Sequence, residues 1–442
     1  MTAARIEEPP RGWQRVRWLG PGFLWMVSAA GSGELLFTPR IGSQYGYALL
    51  WALVAAVTLK WFINREIGRY AVCAGRSVLD GFSELPGPGN WAIWLIIVPQ
   101  LAVAAVSIAG FASASATALI VALPGPHWLW AVVCLLSSAA MVVIGRYAGV
   151  ELASRIFAVL LAVMAMSAAI STRPSLPQMA DGLVPRLPAG VDYGEVLPWL
   201  GYMLSGAAGL MWYSFWITAR KYGAAASTDP VPPRSLDKEA IRKLRGWISQ
   251  MTFDTTVAVV GALIITLAFL VLGTELLRPR GLLPAEEEMA SVLGTLLSGV
   301  WGRAGFWMMV TGVFIGFFDT LLSDQDGFGR MFASGARLLS PRIRSSKRFG
   351  NAEFLRRFFV IGWVTLVPIA VIFAFGDPVT LLKISGAIEA AHIPVVTALI
   401  LYLNLTTLPA ALQPSRQAWL VTGAAGVFFL AFAVFYLVQL AG

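Results

Sequence analysis

Apolar residues in this chain of 442 residues come in long unbroken runs, cut by charge clusters and Pro/Gly turns, with little alternation of polar and apolar positions. The runs fall at 19–42, 46–70, 91–123, 127–146, 149–171, 195–220, 247–272, 301–322, 355–375, 378–404 and 417–440. Each is near the roughly 20 residues a helix needs to cross a bilayer core about 30 Å thick, and too long for a strand. The pattern predicts an all-α polytopic membrane protein with eleven spans, numbered here in chain order.

Basic residues orient these spans, because cytoplasmic loops are enriched in Lys and Arg. With the N-terminus inside, the cytoplasmic segments collect most of the 33 basic residues, chiefly in 220–245 and 330–357. The opposite face holds Arg40, Arg173, Arg186, Arg278, Arg280 and Arg303, offset by Glu286, Glu287 and Glu288, while Lys383 lies within a span. The expected organisation is a cytoplasmic tail over 1–18, spans 1–5 over 19–172, an extracytoplasmic loop over 173–194, spans 6–10 over 195–404, and a loop with span 11 over 405–442. The first run is not followed by a signal-type cleavage site, so the tail reads as retained. An odd span count puts the C-terminus outside, in what reads as a plasma (inner) membrane.

Composition agrees: 57% hydrophobic, 13% charged and a mean hydropathy of +0.71 depart from soluble usage. The net charge of +9 does not point to nucleic acid, because the basic residues border spans and have no aromatic-interleaved module. Cys73 and Cys134 have no pairing or metal-ligand spacing and read as small buried hydrophobes. With histidines only at 127 and 392, no His-Glu-x-x-His pair can form, and there is no phosphate-cradling loop. No enzyme activity and no cofactor are expected.

Two spans carry interruptions. Ala29-Ala30-Gly31-Ser32-Gly33-Glu34 places two glycines and an acid near the middle of span 1, and Ser205-Gly206-Ala207-Ala208-Gly209 does the same in span 6. Unwound backbone at membrane depth is tolerated only against protein or a watery cavity. Breaks at matching positions of two five-span halves are the pattern of inverted-repeat carriers with a midplane site.

At this point the sequence resembles the Nramp family of divalent-metal transporters. The pieces are Gly20-Pro21-Gly22-Phe23, Tyr45-Gly46-Tyr47-Ala48-Leu49-Leu50-Trp51, Asp254 in span 7, and Asp377-Pro378 followed by Leu381-Leu382 and Ser385. The resemblance implies a leucine-transporter-type fold of two inverted five-helix repeats plus an eleventh helix. It also implies metal uptake by a secondary transporter, usually proton-coupled symport. The family's Asp-Pro-Gly-Asn motif aligns with Gly31-Ser32-Gly33-Glu34, and its Met-Pro-His motif with Leu210-Met211-Trp212. The chain is thus a divergent member without the usual metal-binding motifs, and Glu34 is the one metal ligand the alignment leaves.

The expected substrate site comprises Gly31, Ser32, Gly33, Glu34, Gly206, Ala207, Leu210, Met211 and Trp212. A carboxylate beside loosened carbonyls suits a hard ion such as magnesium better than manganese or iron. The bland reading of Glu34 is a cap on the outer half of span 1. The alternative cargo is an amino acid or other small organic solute, because Gly31-Ser32-Gly33 also looks like the break of amino-acid permeases, with Trp212 and Tyr213 as walls or gates. Charges within the hydrocarbon need partners, so Asp254, Asp319, Lys383, Glu389 and His392 are coupling or gating candidates. The same residue types also serve as structural ion pairs. Asp319, Ser323 and Asp326 form a polar stripe, with Asp324 and Asp326 expected at the water boundary.

Overall fold

The computed structural model describes residues 6–22, 25, 30–145, 148–227 and 236–441, with the main chain only at 30–33, 148–158 and 286. Ala29, Pro230, Pro232, Pro233 and Arg234 lie outside the described residues. Every apolar run contains helix, and there is no strand among the described residues.

The single-helix spans are Leu50–Ala74, Trp91–Ala122, His127–Ile144, Ala148–Ser171, Lys238–Leu272, Pro378–Thr407 and Arg416–Ala441. Side-chain caps set several starts: Asp237 accepts from the Ala240 N–H at 2.7 Å, and Asp377 from Val379 and Thr380, both at 3.0 Å. These bonds satisfy donors that the first helical turn leaves without partners. Asp377 is thus the residue that opens span 10, and Gly46 supplies the φ of 59° that turns span 1 toward span 2.

Seven helices are individually long and apolar enough to cross a membrane among the described residues. Of the four runs not so counted, spans 1 and 6 are divided into shorter pieces, span 2 carries Lys60, Arg65, Glu66 and Arg69, and the side chains of span 5 are described only from residue 159. Span 9 combines Ala352–Ile361, a π-helical stretch Gly362–Leu366 and Val367–Phe375. Span 8 is longer than the sequence reading at its C-terminal end: Met289–Leu339 comprises two helices that meet at a kink with non-helical backbone at Trp301 and Gly302, and the second reaches Leu339. It continues past residue 322 because its charges are paired; Asp326 meets Arg330 at 2.7 Å and Arg356 at 2.6 Å.

Span 1 also differs from expectation. Its described central part, Ala30–Phe37, is a π-helix running directly into the α-helix Thr38–Tyr45, where unwound backbone was expected. A π-turn keeps the backbone bonded within the segment while widening it, and such turns collect at functional sites. The interior holds Trp25, Trp199, Trp247, Tyr70 and Tyr213 at 0% exposure, whereas Ile170, Val427, Leu437 and Phe373 face outward. Large side chains are apolar on both sides of the wall, as a lipid environment permits. Both cysteines are buried and unbridged.

Candidate substrate site at the break of span 6

Span 6 is a true interruption. The helix Tyr193–Tyr202 stops, Met203 to Gly206 are non-helical, and Ala207–Ala219 resumes. Leu204 and Ser205 hold φ angles of 63° and 154°, sparsely populated values for residues with a Cβ. The break exposes carbonyls of the outer half-helix and N–H groups of the inner one, and side chains from other spans take both sets.

On the carbonyl side, the Lys60 ammonium of span 2 donates to Gly201, Met203 and Ser205 at 2.6, 2.6 and 2.7 Å. On the N–H side, Glu389 of span 10 accepts from Ala208 at 3.1 Å, which places a carboxylate at the positive end of the inner half-helix. Gly206 makes this approach feasible, because a Cβ there would lie 2.5 Å from the Glu389 carboxyl carbon. Glu34 reaches across from span 1 and accepts from the Leu204 N–H at 3.2 Å. Its own N–H and the Thr266 hydroxyl also face the carboxylate. The side chain thus cross-links spans 1 and 6, beyond the local cap considered for span 1.

Lys60, Glu34 and Glu389 are close enough for their charges to interact, and exposures of 0%, 2% and 3% seal them from solvent. Gln100 of span 3 extends the group, its amide donating toward Glu389 at 3.4 Å and meeting the His392 Nδ1 at 3.0 Å. Asp324 of span 8 is partly exposed and acts electrostatically on Glu389 and Tyr202, so it lies between this centre and the water boundary expected for it.

The other expected site residues are distributed over spans 1, 6 and 8. Gly31, Ser32 and Gly33 belong to the π-helix, and their side chains are outside the description. Gly206 and Ala207 flank the break, while Leu210, Met211 and Trp212 are buried on the inner half-helix. The Trp212 ring packs edge-on against Phe328, centroids 4.9 Å apart, and over Gly327 of span 8. The Tyr213 hydroxyl pairs with Thr255 at 2.7 Å. Asp319 is buried in span 8.

Lys383 and Asp254 sit at the two ends of the bundle. Lys383 pairs with Glu195, whose carboxylate also takes Arg40 at 2.6 and 3.2 Å, and Arg40 in turn donates to the Pro284 carbonyl. This cluster ties the outer ends of spans 1, 6 and 10. Asp254 accepts from the Gly20 and Gly22 N–H groups at 2.8 and 2.6 Å, capping the inner start of span 1. Gly22 is required there, because a Cβ would lie 2.7 Å from the Asp254 carbonyl oxygen. Beside it, the Trp18, Tyr222 and Trp247 rings pack together, and the Tyr222 hydroxyl donates to the Trp18 carbonyl.

The sequence reading missed Lys60, Gln100 and Glu195. Lys60 carried a usable signal, a lone basic residue within the apolar stretch Val54–Phe62. Gln100 is one polar side chain after Pro99, which nothing local distinguishes from a packing residue.

A bundle whose sixth span breaks against charged side chains from its first, second and tenth defines a class, the polytopic membrane proteins of the leucine-transporter fold. Solved structures share that fold. A mutant of the Eremococcus coleocola manganese transporter superposes with a TM-score of 0.65 at 16% identity, over 98% of this chain and 89% of that one. The nucleobase-cation-symport-1 family transporter Mhp1, closed with bromovinylhydantoin bound, gives 0.57 at 12%, over 99% and 94%. The family profile described as natural resistance-associated macrophage protein-like matches residues 22–439, and the chain belongs to the Nramp family. Among curated relatives, Metal transporter Nramp3 of Oryza sativa subsp. japonica is 26% identical over 65% of this chain and 50% of its own length. The divalent metal cation transporter MntH of Deinococcus radiodurans is 28% identical over 40% and 41%. The matched regions thus span half or less of these relatives.

Proposed function

We propose that this protein is a secondary carrier that moves a divalent metal cation by alternating access, with the cargo held where Glu34 and Glu389 converge on the break of span 6. That convergence of two buried carboxylates from different spans is the observation that carries the reading. The names of the relatives, metal and manganese transporters, supply the cargo class. The carrier is an integral membrane protein of the plasma (inner) membrane, N-terminus inside and C-terminus outside, as the basic loops favour.

The donor set supports a hard ion. Carboxylates and carbonyls suit magnesium, which keeps part of its water shell and needs few direct ligands. Leu210 and Trp212 stand where the family resemblance puts a thioether and an imidazole; a one-residue slip would give Met211 the thioether's place, but no register supplies the imidazole, so the soft donor set that favours manganese and iron is incomplete. The organic-solute reading has less support. Glu389 already occupies the N–H end of the inner half-helix, and Lys60 spends its three donors on carbonyls, so a substrate carboxylate would have to displace one of them.

Alternating access is supported by the two closures at opposite ends, the Arg40–Glu195–Lys383 cluster outside and the Asp254 cap with its aromatic neighbours inside. Parallel uptake of magnesium, manganese, iron and amino acids into proteoliposomes tests the proposal. Saturable magnesium uptake that drops at least about tenfold in Glu34→Gln is the expected result, a loss of about 1.4 kcal/mol or more in transition-state stabilisation. Full uptake in that variant would place the cargo elsewhere, and uptake of amino acids alone would replace the metal reading.

A further inference from the structure

Lys60 is a cation fully buried inside a carrier proposed to bind cations, and its surroundings explain the coincidence. A lysine ammonium has three donors and no acceptor. All three are used, on carbonyls of Gly201, Met203 and Ser205, and the Phe429 ring of span 11 lies 5.4 Å from the nitrogen on another side. The Gly201 and Met203 carbonyls close the end of the outer half-helix of span 6, the negative end of its dipole, and the Ser205 carbonyl lies in the break beyond it. Converging carbonyls at the end of a broken helix are the donor set with which carriers of this architecture coordinate an inorganic monovalent ion.

We infer that Lys60 is a tethered replacement for such an ion: its ammonium fills the carbonyl cage of span 6, so the carrier needs neither sodium nor potassium to assemble this centre. The charge balance agrees. Glu34 and Glu389 both interact electrostatically with Lys60, so the ammonium supplies the positive charge that lets two carboxylates approach one break. A diffusible ion would supply it only when bound. The inference concerns the cage and holds whichever solute is carried.

The test measures thermal unfolding of the purified full-length protein in sodium, potassium, methylammonium or choline chloride at constant ionic strength. Wild type is expected to unfold at one temperature in all four salts. Lys60→Ala is expected to lose roughly 5 °C or more in choline, since three carbonyls lose their partner. It should recover saturably as methylammonium, sodium or potassium enters the vacated cage. A lysine that only ties two spans together would show the loss without the recovery, and that outcome overturns the inference. Saturable stabilisation of wild type by sodium or potassium overturns it as well. If Lys60→Ala does not fold, radioactive-sodium binding to wild type decides: no saturable binding supports the tethered cation, and saturable binding displaced by potassium refutes it.

Discussion

Spans 1 and 6 cross the same centre and solve the same backbone problem in opposite ways. Span 1 widens into a π-helix over Ala30–Phe37 and keeps its hydrogen bonding within the segment, whereas span 6 stops outright between Met203 and Gly206. Free N–H and C=O groups in hydrocarbon cost several kcal/mol each unless they find partners. Span 6 finds them in Lys60, Glu34 and Glu389, borrowed from three other spans. Span 1 therefore contributes mainly a side chain to the site, and span 6 contributes mainly backbone. The difference teaches that an interruption in this bundle is stable only as a junction of helices.

If that contrast is right, the largest stability loss belongs to the outer end of span 6. Glu195→Gln leaves Arg40 and Lys383 without their shared carboxylate, and breaking a buried ion pair of this kind costs about 3–5 kcal/mol. Unfolding in detergent should show it, together with faster labelling of cysteines introduced at the outer ends of spans 1 and 10. A protein as stable as wild type would mean that this cluster does not hold the outer closure.

A smaller loss is expected at the junction itself. Gly206→Ala puts a methyl against the Glu389 carboxyl group, an overpacking cost of about 1–3 kcal/mol. The same change made in a Glu389→Ala background should cost less, because the clashing group is gone. Additive effects in that double-mutant cycle would break the proposed contact.

The smallest effect sharpens the contrast from the side of span 1. Asp254→Asn keeps one acceptor for the Gly20 and Gly22 N–H groups and removes the charge, so a capping loss of about 0.5–2 kcal/mol is expected. Uptake at saturating cargo should change little, because Asp254 closes the inner end and does not reach the break. A collapse of uptake with stability intact would instead make Asp254 part of the coupling path.

Much of this architecture was legible beforehand. The apolar runs located eleven helical regions, the run Ser205 to Gly209 marked the neighbourhood where span 6 stops although Ala207 to Gly209 are helical, and Glu34 was singled out as an acid in the middle of span 1. Gly31-Ser32-Gly33 predicted a break that the chain resolves as a π-helix, because glycine weakens a helix without specifying what replaces it. Lys383 and Asp254 read as coupling or gating residues from their position within apolar runs, and their partners, Glu195 and the Gly20 and Gly22 N–H groups, were not readable there. The polar type of a residue was visible, and its partner was not.

What the sequence by itself determined is what depends on solvent. Lipid demands apolar runs about 20 residues long, so the spans are written locally along the chain. Tertiary structure alone decided which charges meet. Lys60 lies 141 positions from Gly201, and Gln100 lies 289 from Glu389. No local pattern encodes such pairings, because they exist only once neighbouring helices have packed and the desolvated charges on their facing sides must find one another.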